Sequence, residues 1–484
     1  MKVGIITFTD GRERCWQGQR DDCFRFQGGI ADWLTAQGHK VVPAQEIVWN
    51  WQTAREEALR MGDCDAVIFN FAVWSYPDFS AQSANLIDCP ICFVGNINPA
   101  APGWVAFFAC AGMMDELGRN FGRVLGDLSD PLVAGDLKRW LADNEPDKRR
   151  RGEAAAAALK GQRYGEFDGP SMGMYTGHID QSQWMEQFGV QVFHRSNLTL
   201  YWKMLQVAPE RVEAGLAWLK DVCAEIQFDG EGLTDGLDGT LARQVRLYLA
   251  IKDLCREEGI DFMGLTGQLD WTEWDQGCIM DIPEAILNDN ADWEDEVKPV
   301  TVCATECDSN AALTMQLLHL ITKTPVLFAD LRHYHADLDI YDLVNSGQHA
   351  PWLSHRSANY RDNWKDIRLM PASTFYFRGG GASVQFYADA EPTVTYARVT
   401  RKAGLYRCHI FTGSWVDYGF ERNEELGNLT SYTWPHIWAK FDVPMRAFGK
   451  TFSANHLHAA IGNVVGELYA ACEALGIEPI ILGE

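Results

Sequence analysis

The sequence predicts an α/β protein: two units of alternating strand and helix, then a β-rich segment forming an antiparallel sheet or barrel. Three observations carry this. In residues 1–140 the apolar runs KVGIITF, KVVPA, DAVIFNF and CPICFVGN alternate with amphipathic stretches such as GGIADWLTAQG. That pattern belongs to a parallel sheet covered by helices. A second alternation starts at GPSMGMYTG and VQVFHRS. It passes the helices RVEAGLAWLKDVCAEI and GTLARQVRLYLAIKDLCREEGI and ends in FMGLTGQ, PVTVCAT and TPVLFAD. After Asp330 come STFYFRGGGASVQFY, TVTYARVTRKAG and LYRCHIFTGSWVDY, which are short, β-rich and punctuated by turns.

The joins follow from the same reading. DNEPDKRRRGEAAAAALKGQ, residues 143–162, reads as a solvated helix linking domains. The expected division is therefore 1–162, 163–340 with Glu306 and Asp330, and 341–484. The last segment closes with NHLHAAIGNVVGELYAACEALG, where Leu457, Ile461, Val464, Val465, Leu468, Cys472 and Leu475 keep helical spacing. This places His456 and His458 at the start of the final helix, with Asn455 as its N-cap.

Composition excludes several classes of function. The chain has 484 residues, 47% hydrophobic and 22% charged, with a net charge of −24. A surface so acidic attracts neither nucleic acid nor anionic membrane. The opening MKVGIITFTD reads as a first strand and not as a signal peptide. No stretch approaches the roughly 18 apolar residues of a membrane span. Thirteen cysteines, an odd and scattered set, suit reduced thiols in a cytoplasm. The CPIC pair, Cys89 and Cys92, leads into a strand and reads as structural, and the NLT sequons at Asn197 and Asn428 carry no weight in a cytoplasmic protein. No GxGxxG follows the first strand, which counts against a nicotinamide-dependent oxidoreductase. A two-lobed, non-enzymatic sugar-binding protein would also alternate strand and helix, but would not need the acids described next.

Glu306 and Asp330 each close a β-like run, PVTVCATE and PVLFAD, with a helix expected over Ser309–Thr322 between them. As one βαβ unit the two strands run parallel. As neighbours they lie about 4.8 Å apart, with both acids at the carboxyl edge where open α/β sheets bind ligands. Two such carboxylates repel, so either one is protonated or a cation sits between them. Simple helix capping is the plainer reading, but Asp308 or Ser309 is the more natural cap after Glu306, and no helix follows Asp330 directly. A metal would need a third ligand, and His333, His335, His456 and His458 all remain open. Two carboxylates with one imidazole favour Mn²⁺ or Mg²⁺ over zinc.

ATECDSNAALTM, VLFADLR, LVNSG, YFRGGG, YTWPHIW and ANHLHAAIG occur in this order. Together with GPSMGM, WMEQFGVQV, GQLDWTEW and EAILND, they resemble the signature segments of the L-fucose isomerase family across most of residues 164–484. The N-terminal third is similar mainly in layout, with TFTDGRER as its local echo. The resemblance implies two Rossmann-like α/β domains followed by a C-terminal β-barrel-like domain. It also implies a homo-oligomer, a hexamer, in which a neighbour's first domain helps close the site.

For this chain the family pattern implies a metal-dependent aldose–ketose isomerase acting on a small-molecule sugar through an enediol. Mn²⁺ would be the metal, with Mg²⁺ or Co²⁺ as substitutes, and its ligands would be Glu306, Asp330 and His456. Glu306 and Asp330 would also serve as acid and base. Gln268, Tyr376, Trp434 and Asn455 would contact the sugar, and Arg12 and Trp74 would reach a neighbour's site. The glycine run Gly379–Gly381 precedes a strand and reads as a turn near the site rather than a phosphate cradle.

The chain departs from the family pattern in places. Cys307 stands where an asparagine is usual, LRHYH is more basic, and the stretch between VNSG and YFRGGG is short. That stretch carries His349, His355 and Arg356. The expected substrate is a neutral deoxy-hexose or pentose of the L-fucose, D-arabinose or L-arabinose type. The alternative is an acid-bearing aldose, with a carboxylate or sulfonate held by Arg356.

Overall fold

The computed structural model describes residues 1–101, 103–345 and 348–483. Ser346 and Gly347 of the LVNSG segment lie outside the described residues. The chain forms two compact units, Met1–Arg150 and Arg151–Glu484. Among the described residues no cysteines are bridged, and no helix is long and apolar enough to cross a membrane.

The first unit is a five-stranded parallel sheet. Its strands are β1 (Lys2–Thr7), β2 (Lys40–Pro43), β3 (Ala66–Phe71), β4 (Ile91–Gly95) and β5 (Gly122–Leu125), in the order β2-β1-β3-β4-β5. β3 and β4 are buried along their whole length, as strands covered on both faces must be. Their alternation feeds two cores. Phe69 and Phe71 join Phe8, Phe93 and Phe107 on one face, while Ile68 joins Val3, Ile5, Leu34 and Val124 on the other.

Among its described residues the second unit carries sixteen strands: β6 (Arg163–Phe167), β7 (Gln191–Arg195), β8 (Glu225–Ile226), β9 (Phe262–Leu265), β10 (Ala291–Asp292), β11 (Glu296–Val297), β12 (Val302–Ala304), β13 (Leu327–His335), β14 (Ile340–Val344), β15 (Arg368–Pro371), β16 (Ala382–Gln385), β17 (Glu391–Lys402), β18 (Leu405–Val416), β19 (Ile437–Phe441), β20 (His456–Ile461) and β21 (Glu478–Ile481). β12-β9-β6-β7 form a parallel sheet, and β17-β20-β13-β14-β19-β18-β21 form a large sheet. β17 also pairs with β18, so six strands of the large sheet are hydrogen bonded in a closed circuit. β8 joins β15 and β16 in a small sheet, and β10 pairs with β11.

Two expectations are corrected here. β12 and β13 are not neighbours: β12 pairs with β9, whereas β13 lies antiparallel between β14 and β20 in the other sheet. The reason lies in β13 itself. It continues through Asp330 to His335, and its second half, DLRHYH, is half-exposed. A strand sandwiched in a parallel sheet would be apolar throughout. Second, HLHAAI is the strand β20, and the final helix begins only at Val465, after Gly462 at φ +91°. Asn455 therefore caps no helix. Leu457 and Ala459 face one core cluster and Ala460 another, an alternation that a short apolar run hides within helical spacing.

The linking helix is real, spanning Pro146–Leu159, but it is not solvated all round. Gly152, Ala155, Ala156 and Leu159 are buried. A Cβ on Gly152 would lie 2.0 Å from the Glu467 carbonyl oxygen, so this helix packs backbone to backbone on the helix Val465–Ala474.

Candidate functional site

The site gathers where the carboxyl ends of the parallel strands meet β13 and β20. β12 ends in the turn Thr305–Cys307, and the helix Ser309–Thr322 follows. Glu306 (φ +57°) and Cys307 (φ +48°) are both left-handed, a strained pair for residues with side chains. The turn is held by the Ser171 amide, which donates to the Glu306 carbonyl at 3.1 Å. Asp308 caps the helix as expected, accepting from the Ala311 amide at 3.0 Å.

Asp330 and His456 sit directly opposite one another on β13 and β20, so both side chains rise from the same face. His456 Nε2 lies 3.2 Å from Glu306 Oε2 and 3.4 Å from Asp330 Oδ1. On its other edge, Nδ1 donates to Asp308 Oδ2 at 2.7 Å. Arg398 Nη2 donates to both Asp308 oxygens, at 3.0 and 2.8 Å, in an ion pair wholly removed from solvent.

The charges follow from these contacts. Burial alone would raise Asp308, but Arg398 and His456 hold it well below the usual carboxylate range. Burial opposes protonation of His456, yet its bonds to Asp308 and Glu306 and the charge of Asp330 push it up to about 9. Asp330 is raised to about 6, chiefly by burial, with Glu306 adding to the rise and His456 opposing it. His456 Nε2 thus faces both carboxylates within ion-pair distance. Among the described residues no three His, Cys, Asp or Glu side chains form a finished metal cage. The two spacings from His456 Nε2 to the acids, 3.2 and 3.4 Å, are nonetheless close to those of neighbouring ligands on one ion. Cis ligands about 2.1 Å from an octahedral ion stand roughly 3 Å apart. Asp308 on Nδ1 is the outer partner that leaves Nε2 free to ligate.

Three models of the L-fucose isomerase match the chain: its first N-terminal domain at residues 1–141, its second N-terminal domain at 256–323 and its C-terminal domain at 343–482. The L-fucose isomerase of Phocaeicola vulgatus is 25% identical over 426 residues, which is 74% of this chain and 70% of that protein. That of Haemophilus influenzae strain PittEE is 25% identical over 442 residues, 78% and 73% of the two chains. An Escherichia coli L-fucose isomerase (O6:H1, strain CFT073) is 30% identical over 252 residues, 43% and 42% of the two.

The chain belongs to the L-fucose isomerase family. It is an aldose–ketose isomerase, an intramolecular oxidoreductase.

The remaining family positions are distributed as follows. Gln268, half-buried, follows β9 on the same carboxyl edge that carries Glu306. Asn455 Nδ2 lies 2.8 Å from His456 Nε2 and donates to Met174 Sδ at 3.4 Å. Trp434 lies under the Arg332 guanidinium, 4.9 Å from the ring centre, and the charge of Arg332 acts on Asp330. Tyr376 is exposed and packs on Phe375. Its segment is tied to the chain after Gln268, since the Gly379 amide donates to the Thr272 carbonyl at 2.8 Å. Arg12 and Trp74 lie on the first unit, on the loops after β1 and β3. Arg12 pairs with Asp10 at 2.6 Å, and Trp74 packs on Tyr76.

The cationic residues of the shortened segment are engaged internally. Arg356 donates to the carbonyls of Leu353 (2.9 Å), Ala390 (2.9 Å) and Asp389 (3.2 Å), and lies 3.3 Å from Glu391. His355 bridges Asp366 and Asp389, and His349 is buried. This counts against an acid-bearing substrate held by Arg356.

Sequence reasoning missed Arg398 and Glu284 and read Asp308 only as a cap. Glu284 is buried and raised well above the usual range by burial, then by Asp281, with Glu306 adding to the rise. Arg398 had one readable signal, a lone arginine in the inward register of TVTYARVT.

Proposed function

We propose that this isomerase converts a neutral deoxy-hexose or pentose, of the L-fucose, D-arabinose or L-arabinose type, into its ketose through an enediol. The observation that carries the reading is the convergence of Glu306 and Asp330 on one His456 nitrogen, at 3.2 and 3.4 Å.

Glu306, Asp330 and His456 would hold a divalent metal. Mn²⁺ is the first choice, and Mg²⁺ or Co²⁺ are expected to substitute, because the donor set is two hard oxygens and an imidazole. Bound there, the metal supplies Lewis-acid stabilisation of the charge that builds on O1 and O2. Glu306 and Asp330 do the proton work, one taking the C2 proton and the other returning a proton at C1. With Asp330 raised to about 6, both of its protonation states are accessible near neutrality, as general acid–base catalysis needs. Asp308 and Arg398 keep His456 turned so that Nε2 faces the acids. Trp434 stacks on the apolar sugar face, and Gln268, Asn455 and Tyr376 bond its hydroxyls.

The same reading takes residues 1–162 and 163–340 as Rossmann-like domains and 341–484 as a barrel-like one. It takes the protein as a cytoplasmic hexamer in which Arg12 and Trp74 complete a neighbour's site. Activity lost on dilution to the monomer supports that assembly, and a fully active monomer ends it.

The test of the function is ketose formation from a panel of aldoses by metal-stripped protein, with and without Mn²⁺. Glu306→Gln, Asp330→Asn and His456→Ala should each lose metal or turnover by roughly 10²-fold or more. Wild-type turnover after exhaustive chelation would refute the metal-dependent mechanism.

A further inference from the structure

Asp342 is a carboxylate with no solvent exposure on β14, next to the strand that bears Asp330. It does not reach the acids at His456. Both of its oxygens bond instead to the segment that carries Trp434. Oδ2 accepts from the Thr430 hydroxyl at 2.9 Å, and Oδ1 lies 3.0 Å from His436 Nδ1. The other ring nitrogen of His436, Nε2, donates to the Ser431 carbonyl at 2.9 Å. That carbonyl also accepts from the Trp434 amide at 3.1 Å.

Thr430 to His436 is thus tied to Asp342 by side-chain bonds on both sides of the indole, alongside backbone bonds from Thr430 and Ser431 to the Gly427 carbonyl and from His436 to the Phe386 carbonyl. The helix Phe420–Gly427 delivers the chain into the clamp. A Cβ on Gly427 would come within 2.9 Å of the Tyr387 hydroxyl and 3.2 Å of His436 Nε2, so the helix must end in glycine for the imidazole to fit. Tyr387 and Trp438 both pack on His436, at 5.7 and 5.1 Å between ring centres, and on each other at 6.5 Å. One face of Trp434 is taken by Arg332.

We infer that Asp342 and His436 are positioning residues: buried away from the reacting atoms, they hold the Trp434 ring in the orientation in which the sugar stacks on it. The inference rests on the proposal that Trp434 contacts the sugar. A flat ring recognises an apolar sugar face only at a fixed tilt, and an unpinned loop would have to be ordered at each binding event. The effect therefore falls on substrate binding and not on the chemical step.

The experiment is steady-state kinetics on L-fucose at saturating Mn²⁺, for wild type, Asp342→Asn, Trp434→Ala and the double variant. Bound metal, melting temperature and the Kd of L-fucitol are measured alongside. Asp342→Asn is expected to raise KM about fivefold or more and to weaken L-fucitol equally, with kcat and bound metal within about twofold of wild type. In the Trp434→Ala background it should raise KM no further, because the residue it positions is gone. An unmoved KM in Asp342→Asn, an equal rise in both backgrounds, or a loss confined to kcat and bound metal overturns the inference. Should Asp342→Asn not fold, Thr430→Val, which removes one bond at the edge of the clamp, is judged by the same criteria. Trp434→Ala with wild-type KM overturns the underlying stacking proposal instead, whatever Asp342 does.

Discussion

His349 should make this protein acid-sensitive, and the size of the effect can be worked out. In the sequence His349 lies in the short stretch between VNSG and YFRGGG. The structure buries it, 1% exposed, with its ring 6.3 Å from Phe386. Burial lowers it to about 3, with the nearby His436 adding to the shift. In the unfolded chain the same imidazole titrates near 6.5. Between these two values the unfolded state binds one more proton than the folded state. Stability therefore falls as the pH drops below 6.5 and keeps falling until the folded value is reached. From pH 7 to pH 5 the loss attributable to this one residue is about 2 kcal/mol.

The perturbation is His349→Leu, which fills a similar volume and cannot titrate. Urea unfolding of wild type and variant at pH 7 and pH 5, extrapolated linearly, supplies the four free energies required. Any offset at pH 7 reflects packing and is subtracted. The wild type should lose about 2 kcal/mol more than the variant on acidification. Equal losses would mean that the imidazole is accessible in the folded protein. The burial argument would then be wrong.

Arg356→Ala should leave the ratio of kcat/KM for L-fucose over a hexuronic acid unchanged within about twofold, since its guanidinium is already bonded to Leu353, Ala390 and Glu391; selective loss on the charged sugar would restore the acid-bearing alternative. Arg398→Met should destabilise the second unit by about 3–5 kcal/mol in denaturant melts, because Asp308 is left charged and buried. A loss under about 1 kcal/mol would show that water reaches the pair. Gly152→Ala should destabilise by about 1–3 kcal/mol, as the new methyl meets the Glu467 carbonyl. Gly449→Ala, in a helix with open space around it, should be neutral or slightly stabilising; equal effects would refute the close helix contact.

What could be read from the sequence follows the range of each interaction. The four quoted strands of the first unit, the helix Ser309–Thr322 and its Asp308 cap rest on contacts within a few residues, and the structure has them as expected, whereas the fifth strand, Gly122–Leu125, went unread. The partner of a strand is a different matter. PVTVCATE and PVLFAD looked like one βαβ unit because short apolar runs do not declare which sheet they enter. The one available clue was the half-polar DLRHYH after Asp330, which suits an antiparallel strand. His456 was hidden in the same way. Its link to Asp308 spans 148 residues, and the apolar spacing around it fits strand and helix alike.

The two acids therefore meet, though not for the reason their spacing suggested. Glu306 comes from the end of a parallel strand, and Asp330 from the middle of an antiparallel one in a different sheet. His456 joins them because β20 pairs with β13 in the register that sets it opposite Asp330. A slip of one residue on β20 would turn the imidazole to the far face. That register is reinforced from the side opposite the acids, where Asp308 takes His456 Nδ1 and is itself held by Arg398 on β17, the strand paired with the other edge of β20. One buried carboxylate thus caps the helix after Glu306, orients the imidazole opposite Asp330 and anchors a third strand. Asp308 does no proton transfer in the proposed reaction, yet each residue that does is placed by something bonded to it.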